Sequence, residues 1–205
     1  MLEGKRIKGK NVPRELTSAD MEEFRGRLCV VAEALFAQHG AHNVSIRQIA
    51  VAMGVSAMTP YRYFKDKGEI LAAVRTRGFE RFAEVLERAH EETKGDARAK
   101  ALAVRAAYLD FAFENEHRYK LMFDFDQADE RDYPHLVAAV ARARKSLTAY
   151  VVGMIEAGLI TGDAQQMGEL LWSASHGAVV LEMARKLPQG SARALADQLG
   201  QFILA

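Results

Sequence analysis

The sequence predicts an all-α protein, with a three-helix N-terminal head containing a helix-turn-helix ahead of a larger C-terminal helical bundle. Three observations predict it. Apolar residues recur at three- and four-residue spacing along most of the chain, and no strand-like alternation bounded by turn residues occurs. Cap residues and glycine stops cut that pattern into helix-sized pieces. Proline occurs only four times in 205 residues, and three of the four stand near expected helix starts.

Residues 1–16 carry Lys5, Arg6, Lys8, Lys10 and Arg14 among glycine and proline, without a hydrophobic period, and read as a flexible basic arm. The first helix starts at Thr17 or Ser18, either of which suits a cap, with Asp20, Glu22 and Glu23 favoured by the helix dipole. Phe24, Leu28, Val31, Ala32, Leu35 and Phe36 form its buried face, and Gly40 stops it. Ser45 and Gln48 make a capping box for a second helix that buries Ile46, Ile49, Ala50 and Met53. Gly54, having no Cβ to clash, permits the tight turn that follows. Val55 plugs the angle between helices, and Ser56 is a cap for a third helix over Ala57–Phe64. Pro60 offers a second possibility: lacking an N–H and disfavouring helix before it, it starts the third helix late, capped by Thr59.

Asp66-Lys67-Gly68-Glu69 is another capping box, opening a long helix over about 67–92 through Ile70, Leu71, Val74, Phe79, Phe82, Val85 and Leu86. Gly95-Asp96 breaks it. Further helices are expected at roughly 97–114, 116–125, 132–157, 163–187 and 191–204. The expected division is an arm at 1–16, a head at 17–67 and a body at 68–205.

Hydrophobic residues at 49% and charged residues at 27% are ordinary for a globular chain and argue against disorder. No apolar run approaches the roughly 20 residues of a membrane span. No apolar segment follows the basic N-terminus, so a signal peptide is not expected and the cytoplasm is the expected location. The net charge of +1 hides a split: residues 1–67 hold 11 Lys/Arg against 7 Asp/Glu, and the remainder holds 17 against 20. A basic head on a slightly acidic body points to a polyanion at one end, although scattered surface charge produces such splits too. Cys29 lies in the apolar run Leu28–Val31 and is expected to be a buried, inert thiol. No phosphate loop, nucleophile elbow or metal-ligand spacing occurs, and His39 and His42 flank Gly40, which spoils a shared helical face. Neither an enzyme nor a cofactor or metal is expected.

The segments Phe36-Ala37-Gln38-His39-Gly40, Val44-Ser45-Ile46-Arg47-Gln48-Ile49-Ala50, Gly54-Val55-Ser56 and Tyr61-Arg62-Tyr63-Phe64-Lys65-Asp66-Lys67, in this order and spacing, resemble the DNA-binding domain of the tetracycline-repressor family over about residues 24–75. The resemblance implies a helix-turn-helix that sets its second helix in the major groove. It implies phosphate contacts from Ser45, Arg47, Tyr61, Tyr63 and Lys67. It implies base-edge contacts from the segment capped by Ser56, namely Ala57, Met58 and Thr59, with Arg62 serving either base or phosphate. Tyr61 is otherwise a half-buried aromatic, Arg47 a solvated charge and Met58 a core residue. Phe64 reads as core. The basic arm either reaches a minor groove or has no role. Ala57-Met58 stands where the family often has lysine-glycine, and Pro60 where it usually has leucine, which leaves the base-contacting register undecided.

In the body, Trp172, His176 and Gly177 resemble the family's C-terminal domain type named for those three residues, and the segment Asn115–Phe123 is similar to one usual in that subgroup. The resemblance implies a ligand pocket and a homodimer built on the last two helices, so that two recognition helices meet successive grooves of a near-palindromic operator. The candidate pocket residues are Phe79, Phe82, Tyr108, Phe111, Met122, Phe123, Met154, Trp172 and His176. Such side chains line adaptable pockets and ordinary cores alike. The expected effector is small and mostly apolar, with one polar anchor among His117, Tyr108 and Arg105. The function expected is ligand-responsive transcriptional regulation of double-stranded operator DNA, by default repression. The alternative is a helical protein–protein module whose head no longer binds DNA.

Overall fold

The structure is a computed structural model that describes residues 17–123 and 130–203. The expected basic arm and the last two residues of the helix expected at 116–125 lie outside the described residues.

Helix α1 (Ser18–His39) begins as a full capping box: the Thr17 side chain accepts from the Asp20 N–H, and the Asp20 carboxylate accepts from the Thr17 N–H. Phe24, Leu28, Cys29, Ala32 and Phe36 form its buried stripe. The chain leaves it at Gly40, whose φ of +79° is a conformation that side chains disfavour. A short turn, Ala41–Asn43, leads to α2 (Ile46–Ala52), which is capped reciprocally by Ser45 and Gln48. Gly54 follows with φ +68°. A Cβ there would meet nothing within 4 Å, so the glycine is required by backbone conformation and not by lack of room.

The expected third helix over 57–64 is replaced by a single tight turn at Pro60–Arg62. Its bonds run from residue i+3 back to residue i: Thr59 N–H to Ser56 O, Arg62 N–H to Thr59 O and Tyr63 N–H to Pro60 O, at 2.9, 3.1 and 2.9 Å. Pro60, which has no N–H to give, is its first residue. Helix α3 (Lys67–Glu92) starts from Asp66, whose carboxylate accepts the Glu69 N–H at 2.9 Å. The capping box expected here is only half made, because the Glu69 carboxylate turns to the Lys65 N–H and to Arg25.

At 26 residues, α3 is about 39 Å long and belongs to two cores. Ile70 and Val74 join Leu28, Phe36, Ile49 and Phe64 in the head, so the head's core reaches past residue 67. Phe79, Phe82 and Leu86 join the body. The body adds α4 (Ala97–Glu114), α5 (Glu116–Met122), α6 (Pro134–Glu156), α7 (Ala164–Met183) and α8 (Ser191–Ile203). Both α4 and α6 pack along α3, α7 lies on α6, and α8 lies on α7 and α4. Helix α7 ends four residues earlier than expected, where Arg185 takes φ +57° and the Lys186 N–H returns to Leu181 O at 2.8 Å. No described helix is long and apolar enough to cross a membrane.

Short α5 ties the two cores together. Leu121 is buried in the head, whereas Tyr119 and Met122 are buried in the body. Arg118 pairs with Glu33 of α1 at 2.7 Å. Arg75 of α3, only 6% exposed, donates to Met122 O at 3.2 and 3.0 Å and pairs with Glu130. Gly78 lets α5 cross α3 closely, since a Cβ there would lie 2.8 Å from Met122 Cγ.

Candidate DNA-binding face and effector cavity

Most of the expected DNA-contacting residues lie at the start of α2 and in the turn after it. Ser45, Arg47, Ser56, Ala57, Met58, Tyr61 and Arg62 are exposed there. Met58 is 69% and Tyr61 50% exposed, so neither is a core residue. Arg47 and Arg62 have no ion-pair partner among the described residues. Exposed guanidinium groups without an ion partner, and an exposed tyrosine hydroxyl, suit a phosphate backbone.

Other expected residues have different local roles. The Ser56 hydroxyl does not cap a backbone N–H; it pairs with the Thr59 hydroxyl at 2.9 Å. Thr59 is half-buried, has helical dihedrals and makes no cap bond. Tyr63 is half-buried and stacks on Phe24 at 4.1 Å. The Lys67 ammonium donates to the carbonyls of Ala41 and His42 at 3.0 and 3.1 Å, clamping the turn before α2 to the start of α3. Only one of its three donors remains for another partner. Phe64 is core, as expected, at 2% exposure. Cys29 is buried, and desolvation pushes its thiol up to about 11, where the nucleophilic thiolate is scarce.

Arg25 was missed by sequence reasoning. Its guanidinium lies 4.0 Å from the Phe64 ring centroid, donates to the Tyr63 carbonyl and pairs with Glu69 at 3.2 Å. It therefore fixes the end of the recognition turn against α1 and α3. Its only sequence signal is its place beside Phe24, on the helix flank that meets the turn.

The nine expected pocket residues separate into three groups. Tyr108, Met154 and Trp172 line a cavity between α4, α6, α7 and α8, together with Arg105 and Tyr150, with the exposed Arg98 and Leu102 at its edge. Its volume is about 70 Å³. Phe79, Phe82, Phe111 and Met122 are close-packed core, with Phe82 against both Tyr108 and Phe111 at 5.3 and 5.1 Å. Phe123 and His176 instead line a surface groove between the end of α1 and the body, and His117 lines that groove too. Of the three suggested polar anchors, Tyr108 and Arg105 line the cavity and His117 does not.

A buried polar relay connects the cavity to the groove. The Tyr108 and Tyr119 hydroxyls are 2.6 Å apart, and the Tyr119 hydroxyl is 2.8 Å from His176 Nδ1. Burial pushes both phenols well above their ordinary range and pulls the His176 imidazole below its usual 6.5, so all three groups are neutral at pH 7. With Nδ1 as acceptor, Tyr119 donates to His176 and Tyr108 donates to Tyr119. The Trp172 indole Nε1 is buried without a hydrogen-bond partner among the described residues.

The lowered His176 value has a consequence for stability. As pH falls below 6.5 the unfolded chain takes up this proton before the folded chain does, so stability is full above 6.5 and lost as pH drops toward the lower folded value. Urea titrations at about pH 7.5 and 5.5 should show wild type losing more stability than His176→Gln. Equal losses would mean that the imidazole titrates as if exposed.

Comparison with known proteins gives a consistent result. Residues 28–74 match the family of bacterial regulatory proteins called the tetR family, and residues 101–202 match the tetracyclin repressor-like C-terminal domain. The HTH-type transcriptional activator FasR of Mycolicibacterium smegmatis is 29% identical over 148 residues, which is 72% of this chain and 63% of FasR. The match thus spans less than two thirds of that relative. A Rhodococcus sp. RHA1 structure of unknown function is 27% identical, with a TM-score of 0.78 over 94% of this chain and 99% of that one. The Bacillus subtilis regulator FadR, solved with stearoyl-CoA, has a TM-score of 0.72 at 18% identity over 88% of this chain and 97% of FadR, a likeness of fold. With both of its halves matched in order and its helix-turn-helix built as described, the chain belongs to the tetracycline-repressor family of transcriptional regulators.

Proposed function

We propose that the protein is a homodimeric repressor that binds a near-palindromic operator and is released by a small, mostly apolar effector. The observation that carries this reading is the exposure of Tyr61 and Arg62 in the turn at Pro60–Arg62 and of Arg47 in α2, the two guanidinium groups having no ion-pair partner among the described residues. Base contacts would come from Ala57, Met58 and Arg62, and phosphate contacts from Arg47, Tyr61 and the free donor of Lys67. The head is taken as residues 17–67 and the body as 68–205. A body of the domain type named for Trp172, His176 and Gly177 is part of this proposal, supported by the spacing of those three residues on α7.

Exposed Leu170, Val180, Leu181 and Leu195, with Phe202 at 79% exposure, give α7 and α8 an apolar outer surface that suits a second copy. The effector site is the cavity at Tyr108, Met154 and Trp172. Its occupation would move α3 and α5, which share the head's core, and rotate the paired heads out of register. The effector must favour the released state for this to happen, since equal affinity for both states shifts nothing. FasR is an activator, which favours a second reading in which the same binding event recruits transcription.

Selection from random duplex DNA by the purified chain tests this. It should enrich two related half-sites about one helical turn apart, bound by two chains per duplex. No enrichment at low salt would contradict it and would favour an interaction module.

A further inference from the structure

The cavity is too small for its proposed occupant. Its 70 Å³ holds a few waters, each needing roughly 10–15 Å³, whereas ligand pockets span about 300 Å³ and upward. A wall must therefore move.

Helix α8 is the wall held least by apolar packing. Among its described side chains it buries only Ala192 and Ala196. What ties it to α4 is polar. Arg105 donates to Ala196 O at 3.0 Å and to the Asp197 carboxylate at 2.6 Å, and Arg193 pairs with Asp110. A Cβ on Gly200 would overlap Arg105 Nη1, so the glycine lets this guanidinium lie flat along α8. Arg105 and the exposed Arg98 both line the cavity, whose interior walls are Tyr108, Met154 and Trp172. The only cationic groups on the lining thus belong to α4, and one of them is held by a carboxylate of the movable wall.

We propose that the effector is an amphipathic anion whose head group takes Arg105 from Asp197, unlatching α8 while its apolar tail fills the enlarged cavity. This rests on the cavity being the effector site. The exchange is isoelectric, one carboxylate for another on the same guanidinium, so it proceeds without stranding a charge. Asp197 is 62% exposed at its side chain and returns to water when displaced. Helix α8 also carries exposed Leu195 and Phe202, so unlatching would act on the same helix that the proposed dimer uses. A neutral molecule of equal tail length would enter the cavity without competing for the latch.

The test uses the full chain, whose single tryptophan, Trp172, reports on the cavity. Decanoate and decanol are titrated at about pH 8 against wild type, Asp197→Asn and Arg105→Gln, following tryptophan fluorescence. Wild type should bind decanoate more tightly than decanol. Asp197→Asn, a surface change that leaves packing intact, should tighten decanoate about two- to fivefold and leave decanol unchanged. Arg105→Gln should bring decanoate down to the affinity of decanol. Unchanged decanoate affinity in Asp197→Asn, or a retained preference for the acid in Arg105→Gln, overturns the latch. Decanol binding alone would show a cavity that takes ligands without an anion anchor. Silence with both probes overturns the cavity as effector site, and the latch with it.

Discussion

Replacing Tyr61 with alanine should weaken operator binding about 100-fold. Its hydroxyl is carried on an exposed ring, and a hydrogen bond to a charged oxygen contributes about 1.5 kcal/mol or more. A dimer loses two of them, one per head, which multiplies the effect to about 3 kcal/mol. Because Tyr61 is not part of a core cluster, the variant should melt like wild type. Arg47→Ala should differ in kind. Each guanidinium that leaves a phosphate lowers the dependence of log affinity on log salt by about 0.9, so the dimer's slope should fall by nearly two. Fluorescence anisotropy on the enriched duplex across a salt series separates the two effects. If Tyr61→Ala and Arg47→Ala bind as wild type does, these exposed residues do not meet the DNA.

Tyr119→Phe should be the most damaging near-isosteric change in the body. The ring is 1% exposed and would be retained, so packing survives. What disappears is the oxygen between the Tyr108 hydroxyl and His176 Nδ1. Leaving a buried polar group without its partner costs about 1–3 kcal/mol. With His176 half-buried, the two losses together should reach about 2–4 kcal/mol, or roughly 5–15 °C in Tm for a chain of this size. Tyr61→Ala, measured alongside by calorimetry, serves as the control with little change. A Tm for Tyr119→Phe equal to that of wild type would mean that water or a neighbour replaces the hydroxyl and that the relay contributes nothing to the fold.

Much of the fold was legible because its boundaries depend on local chemistry. Thr17, Ser45, Asp66, Asp96 and Asp163 each accept a backbone N–H three residues on, as cap residues do in any context. The recognition turn was only half legible. Pro60 signalled a late start, but nothing local shows that the following residues stop after one tight turn instead of extending to Phe64. The clamp made by Lys67 and the role of Arg25 were missed for a different reason: their partners, the carbonyls of Ala41, His42 and Tyr63, are distant in sequence.

The pocket shows the same boundary between local and tertiary information. Helical spacing marks Phe82 and Tyr108 equally as buried, since periodicity reports which face turns inward. It does not report whether the space beyond that face is filled. Phe82 meets Phe111 and Tyr108, whereas Tyr108 also meets a void. Trp172 and His176, one turn apart on α7, serve different surfaces, one the cavity and the other the groove beside α1. Tyr119, which joins them through Tyr108, lies 57 positions from His176, and no spacing rule links the pair.

Helix α3 links body and head because it belongs to both cores. Helix α5 is a second link, since Leu121 is in the head's core while Tyr119 and Met122, two and one residues away, are in the body's. A shift at the Tyr119 hydroxyl is thus within one helical turn of the DNA-binding unit.

The most direct test is reciprocity between the cavity and the head. Affinity for the enriched duplex is measured with and without saturating decanoate, and decanoate affinity, read from Trp172 fluorescence, with and without saturating duplex. A regulator that couples the two sites must show the same factor in both directions, because both close one thermodynamic cycle. Factors that agree and exceed about fivefold are the predicted result. Decanoate that quenches Trp172 while each affinity ignores the other ligand would contradict the effector switch.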